Sequence, residues 1–522
     1  MFAVLVILTL AAAIATSPTV IDTREYRLRR ETSGYNTHCS LVRTKTFREP
    51  LPAERNVSAV RLAATHDRSS IRISWSSPRR CVKAYVLLND RDEVDAMMLD
   101  AQIEQPYNLR GGILSYESGY FYHVLASDLE GGKRYFYRVH CDSSQSITYF
   151  FDTPPTDDKR APVRVAILAD HGTRAEGRTT IAAIAREIDR RRYDLVLHAG
   201  DLSYANGGAR EYLWDAWGAI IEPVSARLPY MVAPGNHEIM RSDSGGENGV
   251  PYGKRFAMPL SSSPWWYSWD WGLVHFISLS SEHPDCCEQR DWLERDLQGV
   301  NRSLHPWIVT FAHEPIHTSN GRHGNNTRLR SWLDPLLADY DVDFSFWGHD
   351  HAYERLYPIR NGVVVQRHYE NPVNATVHVT CGSSGWNLHD CWNDANFSAF
   401  HNGVVWGFCT LDVYNPYQAE VKFINSKTEK IEDKFVLQKE RRENESVRSA
   451  SPPQSPRRHG TAAIIIILVA VGVVSSIVIL IHYRHSKRAG SKRHGGDWIP
   501  LYSRLVATSI DDSESDSQEM QT

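Results

Sequence analysis

Val165-Ala166-Ile167-Leu168-Ala169-Asp170-His171-Gly172 is the stretch whose reading decides the fold. Its unbroken apolar run fits a strand buried on both faces, and polar, ligand-type residues follow at once. A helical stretch, about Thr179 to Arg192, separates it from the next such run, Leu195-Val196-Leu197. Strand, helix and strand again predict a layered α/β domain extending to roughly Leu437. The same device then recurs. Gly200-Asp201-Leu202-Ser203-Tyr204 follows 195–199, and Gly235-Asn236-His237-Glu238 follows Tyr230-Met231-Val232-Ala233. His313-Glu314-Pro315 follows the run from Trp307 to Ala312, and Gly348-His349-Asp350-His351 follows Val342 to Trp347. In α/β sheets ligands collect beyond the carboxyl ends of the strands, so five such tips can converge on one site. Each tip alone reads as a turn, a loop or a structural histidine; the ordered set points to chemistry.

Outward from this domain the chain changes character. Residues 54–153 alternate apolar and polar in short runs, as in Ile71-Arg72-Ile73-Ser74-Trp75, with turn-formers such as Glu130-Gly131-Gly132 between them. This predicts an N-terminal β-sandwich, fibronectin type III-like, joined through Thr153-Pro154-Pro155. Residues 1–16 read as a signal peptide, 438–460 as a polar stalk and 461–481 as a single transmembrane helix. The basic residues Arg484, Lys487 and Arg488 then make 482–522 a cytoplasmic tail. That arrangement is a single-pass type I membrane protein with its catalytic domain lumenal or extracellular.

All eight cysteines precede 461–481 and read as disulfide-forming, with no pairing chosen by the sequence. Asn56, Asn301, Asn325, Asn374, Asn396 and Asn444 stand in glycosylation sequons on the same side. In the tail, Tyr502-Ser503-Arg504-Leu505 resembles an endocytic and lysosomal sorting signal for adaptor proteins. It points to the cell surface or the endosome and lysosome. A net charge of −4 over 522 residues gives no sign of a nucleic-acid partner.

Carboxylate, imidazole, amide and phenol donors suit hard or borderline ions such as Fe³⁺, Zn²⁺ or Mn²⁺. No cysteine lies in any of the five tips, which argues against a zinc–thiolate structural site. Two ions bridged by one carboxylate would clamp a phosphoryl group and activate water for in-line attack.

The ordered motifs are similar to those of the calcineurin-like metallophosphoesterases. Tyr204 and the run Gly348-His349-Asp350-His351-Ala352-Tyr353-Glu354-Arg355 narrow the resemblance to the purple acid phosphatases. It covers about Asn56 to Leu437 and implies that 162–437 forms a metallophosphoesterase domain, a layered α/β/β/α sandwich. The resemblance implies that Asp170, Asp201, Tyr204 and His351 hold Fe³⁺. Asp201, Asn236, His313 and His349 would hold a divalent ion (Zn²⁺, Fe²⁺ or Mn²⁺), with Asp201 bridging. His237 would face the substrate phosphate. Plant relatives carry paired histidines past the strand-end histidine, where this chain has Arg322-His323. His323 is therefore the candidate second acid, and Arg322 either a phosphate contact or a solvated loop residue. The implied activity is hydrolysis of phosphate monoesters by a metal-bound hydroxide with an acidic optimum. A phosphodiesterase or nucleotide pyrophosphatase, or a catalytically silent receptor, are the alternatives.

Overall fold

In the α/β region the apolar runs form the strands of two sheets. One sheet has six strands, in the order Tyr230–Ala233, Leu195–Ala199, Val163–Leu168, Gly407–Asn415, Gln418–Asn425, Ile431–Gln438. Its first three strands are parallel and the last three antiparallel. The other has seven, in the order Tyr267–Trp271, Val274–Ser278, Trp307–Phe311, Phe344–Trp347, Val377–Cys381, Tyr353–Leu356, Ser398–Asn402. The computed structural model describes residues 39–42, 56–91, 96–111, 114–154, 162–190, 192–207, 210–259 and 263–440.

Period-2 alternation sorts the side chains of the seven-stranded sheet onto its two faces. Phe276, Val309, Phe311, Phe344 and Phe346 join the apolar core that contains the six-stranded sheet. Ile277, Ile308 and Trp347 enter a second cluster with the helices Cys287–Gly299 and Thr327–Asp339. The helices Ala175–Ile188 and Tyr212–Ser225 pack into the first cluster through Ile181, Ile184, Trp217 and Ile221. The first of these starts and ends four residues earlier than the periodicity suggests. Glu176 in its first turn and Arg186 in its last complement the helix dipole over the observed span.

The N-terminal region is a sandwich of two antiparallel sheets. One is ordered Ser58–Ala64, Ile71–Ser77, Tyr120–Ala126, Gln102–Glu104; the other is built on Arg134–Cys141 and Ala84–Asn89. Trp75, Tyr122, Tyr137 and Phe151 fill its core. It is fastened to the helix Tyr212–Ser225, where buried Glu222 accepts hydrogen bonds from Tyr149 Oη (2.6 Å) and the Val60 amide (3.3 Å). Tyr137 Oη donates to the Ala226 carbonyl at 2.6 Å. The polar start of the chain also contributes a strand, Cys39–Val42, paired antiparallel with Leu388–Cys391.

Disulfides join Cys81 to Cys141 and Cys381 to Cys409, the latter linking the two large sheets. Cys391 is also disulfide-bonded, and Cys39 is its register partner. Cys286 and Cys287 are free thiols, which corrects the reading of every cysteine as bridged.

Among the described residues no helix is long and apolar enough to cross a membrane. The longest α-helices there have 14 residues, about 21 Å at 1.5 Å per residue, against a hydrocarbon layer of about 30 Å. This stands against the single-pass type I arrangement and the cell-surface or endosomal and lysosomal address drawn from it. The signal peptide 1–16, the stalk beyond 440, the stretch 461–481, the tail with Tyr502–Leu505 and Asn444 lie outside the described residues.

Candidate metal centre

Strand ends deliver the five tips to one place. Asp170 and Gly172 donate their amides to the carbonyls of Gly200 (3.2 Å) and Leu202 (2.9 Å), so the first two tips run side by side. Gly348 donates to the His313 carbonyl at 2.9 Å and joins the last two. Asp170, Asp201, Tyr204 and His349 all hold left-handed backbone, with φ of 57°, 53°, 54° and 65°. Such conformations cost about 1–3 kcal/mol each and cluster where side chains must be aimed.

Asp170, Asp201 and His351 each offer a ligand atom within 4.8 Å of the others, and all three are buried. Tyr204 Oη lies 3.1 Å from both Asp170 Oδ1 and His351 Nε2. Burial, then the Asp170 and Asp201 carboxylates, push the Tyr204 phenol well above its ordinary range. Without a cation it therefore keeps its proton and donates to Asp170. His351 Nδ1 lies 2.7 Å from the Asn387 carbonyl. A carbonyl only accepts, so Nδ1 carries the proton and Nε2 turns a lone pair to the cluster.

The second group has the same construction. His313 Nδ1 donates to the Ala199 carbonyl at 2.9 Å, which leaves Nε2 as its lone-pair nitrogen. That Nε2 stands 2.9 Å from Asn236 Oδ1, 3.2 Å from His349 Nδ1 and 3.3 Å from Asp201 Oδ1. Spacings of 2.9–3.3 Å suit donors that would each lie about 2.1 Å from a shared cation. Burial opposes the Asp201 anion, but His313 and His237 outweigh it and hold this carboxyl well below its usual range. Asp201 thus faces both groups. The donor set fits two cations, Asp170, Asp201, Tyr204 and His351 serving one and Asp201, Asn236, His313 and His349 the other.

His237 is half-buried at the rim. Its Nδ1 pairs with Asn206 Oδ1 at 2.9 Å, and its Nε2 is 3.7 Å from Asp201 Oδ2. His323 is exposed, with its ring 4.2 Å from that of His349; Arg322 beside it is exposed as well. Of the sequon asparagines, Asn56, Asn301, Asn325 and Asn396 are exposed and Asn374 is half-buried.

Several residues of the site escaped the sequence. Glu238 accepts from the amides of Asp201 (2.9 Å), Leu202 (3.0 Å) and Gly235 (3.0 Å), tying the second tip to the third. Burial and then Asp201 push its carboxyl up to about 8. A sixth tip, Gly382 to His389, follows the strand Val377–Cys381. It brings Trp386 against Tyr204 and stacks His389 on His351 at 4.1 Å. The signal was present as an apolar strand ending in Gly382-Ser383-Ser384-Gly385, but no ligand-type residue follows immediately.

Tyr353 and Arg355, from the Gly-His-x-His run, serve as fasteners. Tyr353 stacks on Phe423 at 4.3 Å, and Arg355 pairs with Asp433 at 2.8 Å, both partners belonging to the six-stranded sheet. His317, Asp334 and His378 form another buried group. Here Trp347 Nε1–H points at His378 Nδ1 (3.2 Å). That nitrogen accepts, so the His378 proton sits on Nε2 and no lone pair is available there. The same test that favours His313 and His351 as ligands excludes this group as a cage.

Comparison with known proteins agrees with this geometry. The calcineurin-like phosphoesterase family matches residues 163–353. The purple acid phosphatase N-terminal domain matches 57–153, and the iron/zinc purple acid phosphatase-like protein C family matches 375–434. Acid phosphatase type 7 of Mus musculus is 35% identical over 300 residues, covering 53% of this chain and 66% of that protein, just under two thirds of its length. The Danio rerio protein of the same name is 30% identical over 361 residues, covering 62% of this chain and 79% of its own. A purple acid phosphatase from yellow lupin (Lupinus luteus) seeds superposes with a TM-score of 0.68 at 25% identity, covering 74% of this chain and 75% of its own. Some Arabidopsis thaliana relatives are named probable inactive purple acid phosphatases. With its N-terminal, catalytic and C-terminal parts all matched, the chain belongs to the purple acid phosphatases, a family of metal-dependent phosphatases within the calcineurin-like phosphoesterases.

Proposed function

We propose that this protein hydrolyses phosphate monoesters at acidic pH, with Fe³⁺ and a divalent ion held by the two groups of donors. The observation that carries the reading is the Asp201 carboxylate, which faces His313 Nε2 at 3.3 Å and also belongs to the cluster of Asp170 and His351. Bound there, the ions would supply Lewis acidity toward water and a phosphoryl oxygen. His237 is held by Asn206 with Nε2 turned inward, where it can hydrogen-bond a phosphate oxygen or pass a proton to the leaving group. His323, whose tilted ring lies 4.2 Å from that of His349, is the candidate second acid, with Arg322 adding positive charge at the rim. Glu238 keeps the Asp201 and Asn236 tips in register.

Metal analysis, a visible spectrum and turnover of a monoester and a diester test this together, beside Tyr204→Phe. The expected result is two ions per chain including iron, a visible band lost in the variant, and monoester cleavage fastest below about pH 7. Protein that holds no ion after careful preparation would refute the reading. Preferential diester cleavage would move the substrate class while leaving the centre intact.

A further inference from the structure

The ring of Tyr204 is set by an aromatic stack on Trp386. The Trp386 ring covers it face to face, with centroids 4.0 Å apart and planes inclined by 4°. The Arg174 guanidinium carbon lies 3.5 Å from the Trp386 centroid. Tyr204 already fills one face of the indole at van der Waals distance, so Arg174 must occupy the other. Trp386 is pinned along its backbone too. Its amide donates to the Asp170 carbonyl at 2.9 Å, and its carbonyl accepts from Trp406 Nε1 at 2.7 Å. Arg174 is in turn held by Asn387 Oδ1 at 2.6 Å.

Space for the stack comes from Gly172. At φ 65°, a Cβ there would lie 2.8 Å from Trp386 Cε3 and 3.3 Å from Tyr204 Cδ2. The third residue of the Asp-x-Gly tip is therefore small because two rings meet above it. Tyr204 itself sits in left-handed backbone, which a bulky side chain avoids unless its surroundings impose it.

We propose that Trp386, backed by Arg174, is the positioning residue for Tyr204: it fixes the plane of the phenol so that Oη stays directed at the point shared with Asp170 and His351. The proposal rests on the assignment of Tyr204 as a metal ligand. Through its ring Trp386 bears on Tyr204, and through its amide it also holds the Asp170 backbone, so only the first of these contacts is altered when the indole is replaced.

The test uses the full chain as isolated, with Trp386→Leu, Trp386→Phe, Tyr204→Phe and the double variant Trp386→Leu/Tyr204→Phe. Ion loss to a chelator is followed by metal analysis, alongside the visible spectrum and the melting temperature. Trp386→Leu is expected to lose an ion about tenfold faster, the scale of a displaced supporting residue, with a shifted and broadened visible band. Trp386→Phe, which keeps a flat ring over Tyr204, restores most of both. In the Tyr204→Phe background the leucine adds no further acceleration. Equal release by wild type and Trp386→Leu would overturn the proposal, as would the same acceleration in both backgrounds, which signals general loosening. Wild-type protein without bound ions would instead overturn the ligand assignment, and the role of the stack with it.

Discussion

Stability should fall steeply as pH rises from about 6.5 to about 9, and His275 is the reason. This buried residue on the strand Val274–Ser278 donates through Nδ1 to Asp270 Oδ1 at 2.7 Å and through Nε2 to Asp296 Oδ2 at 2.9 Å. Asp270 lies on the neighbouring strand Tyr267–Trp271 and Asp296 on the helix Cys287–Gly299, so one imidazolium fastens three elements. His305 Nε2 approaches the same Asp270 at 3.4 Å. Burial opposes the His275 cation, but hydrogen bonds and charge from Asp270 and Asp296 outweigh it and raise its pKa from 6.5 to about 9. At about 1.4 kcal/mol per decade, that displacement is worth about 3 kcal/mol. Because the folded pKa lies above the unfolded one, the contribution is complete below 6.5 and disappears as pH passes about 9. Urea unfolding of the wild type and His275→Gln between pH 6 and 10 measures it. The gap between the two should be about 3 kcal/mol at the acid end and close toward the alkaline end. Parallel curves across that range would refute the reasoning.

Two further outcomes follow from the joints of the fold. Tyr149→Phe removes a hydrogen bond to the buried Glu222 carboxylate between sandwich and catalytic domain, and should cost about 1.5–3 kcal/mol in chemical unfolding; a loss under about 0.5 kcal/mol would mean the joint carries little of the stability. Replacing both Cys381 and Cys409 by alanine frees a loop of sequence separation 28 and should cost about 3–4 kcal/mol, read as the difference in unfolding free energy from the oxidised wild type; an unchanged midpoint would show the bridge to be redundant with the surrounding packing.

The strand tips were legible because each pairs a buried apolar run with a polar residue at its carboxyl end, and the fold does bring Asp170, Asp201, Asn236, His313 and His349 together. The sandwich was legible for the related reason that one-sided burial writes alternation into the chain. What stayed hidden depends on tertiary neighbours. Trp386 follows two serines and a glycine, and its meaning comes only from the ring beneath it. Glu238 stood in a quoted motif, yet its task is to accept three amides that folding brings to it. Cys39–Val42 is too short to announce a strand until Leu388–Cys391 offers an edge. The membrane expectation rested on local apolarity at 461–481, and among the described residues no helix meets the length and apolarity required.

Each of the two donor groups draws on both halves of the molecule. Asp170, Asp201, Tyr204 and Asn236 issue from the six-stranded sheet, His313, His349 and His351 from the seven-stranded one. A cation gripped by both is a rivet through a seam. Neither sheet supplies a full set alone, so on the proposed two-ion reading capture would wait until the halves have closed and would help to hold them shut. Loading and final assembly would then be coupled, alongside the apolar core and the Cys381–Cys409 bridge that already join the two sheets.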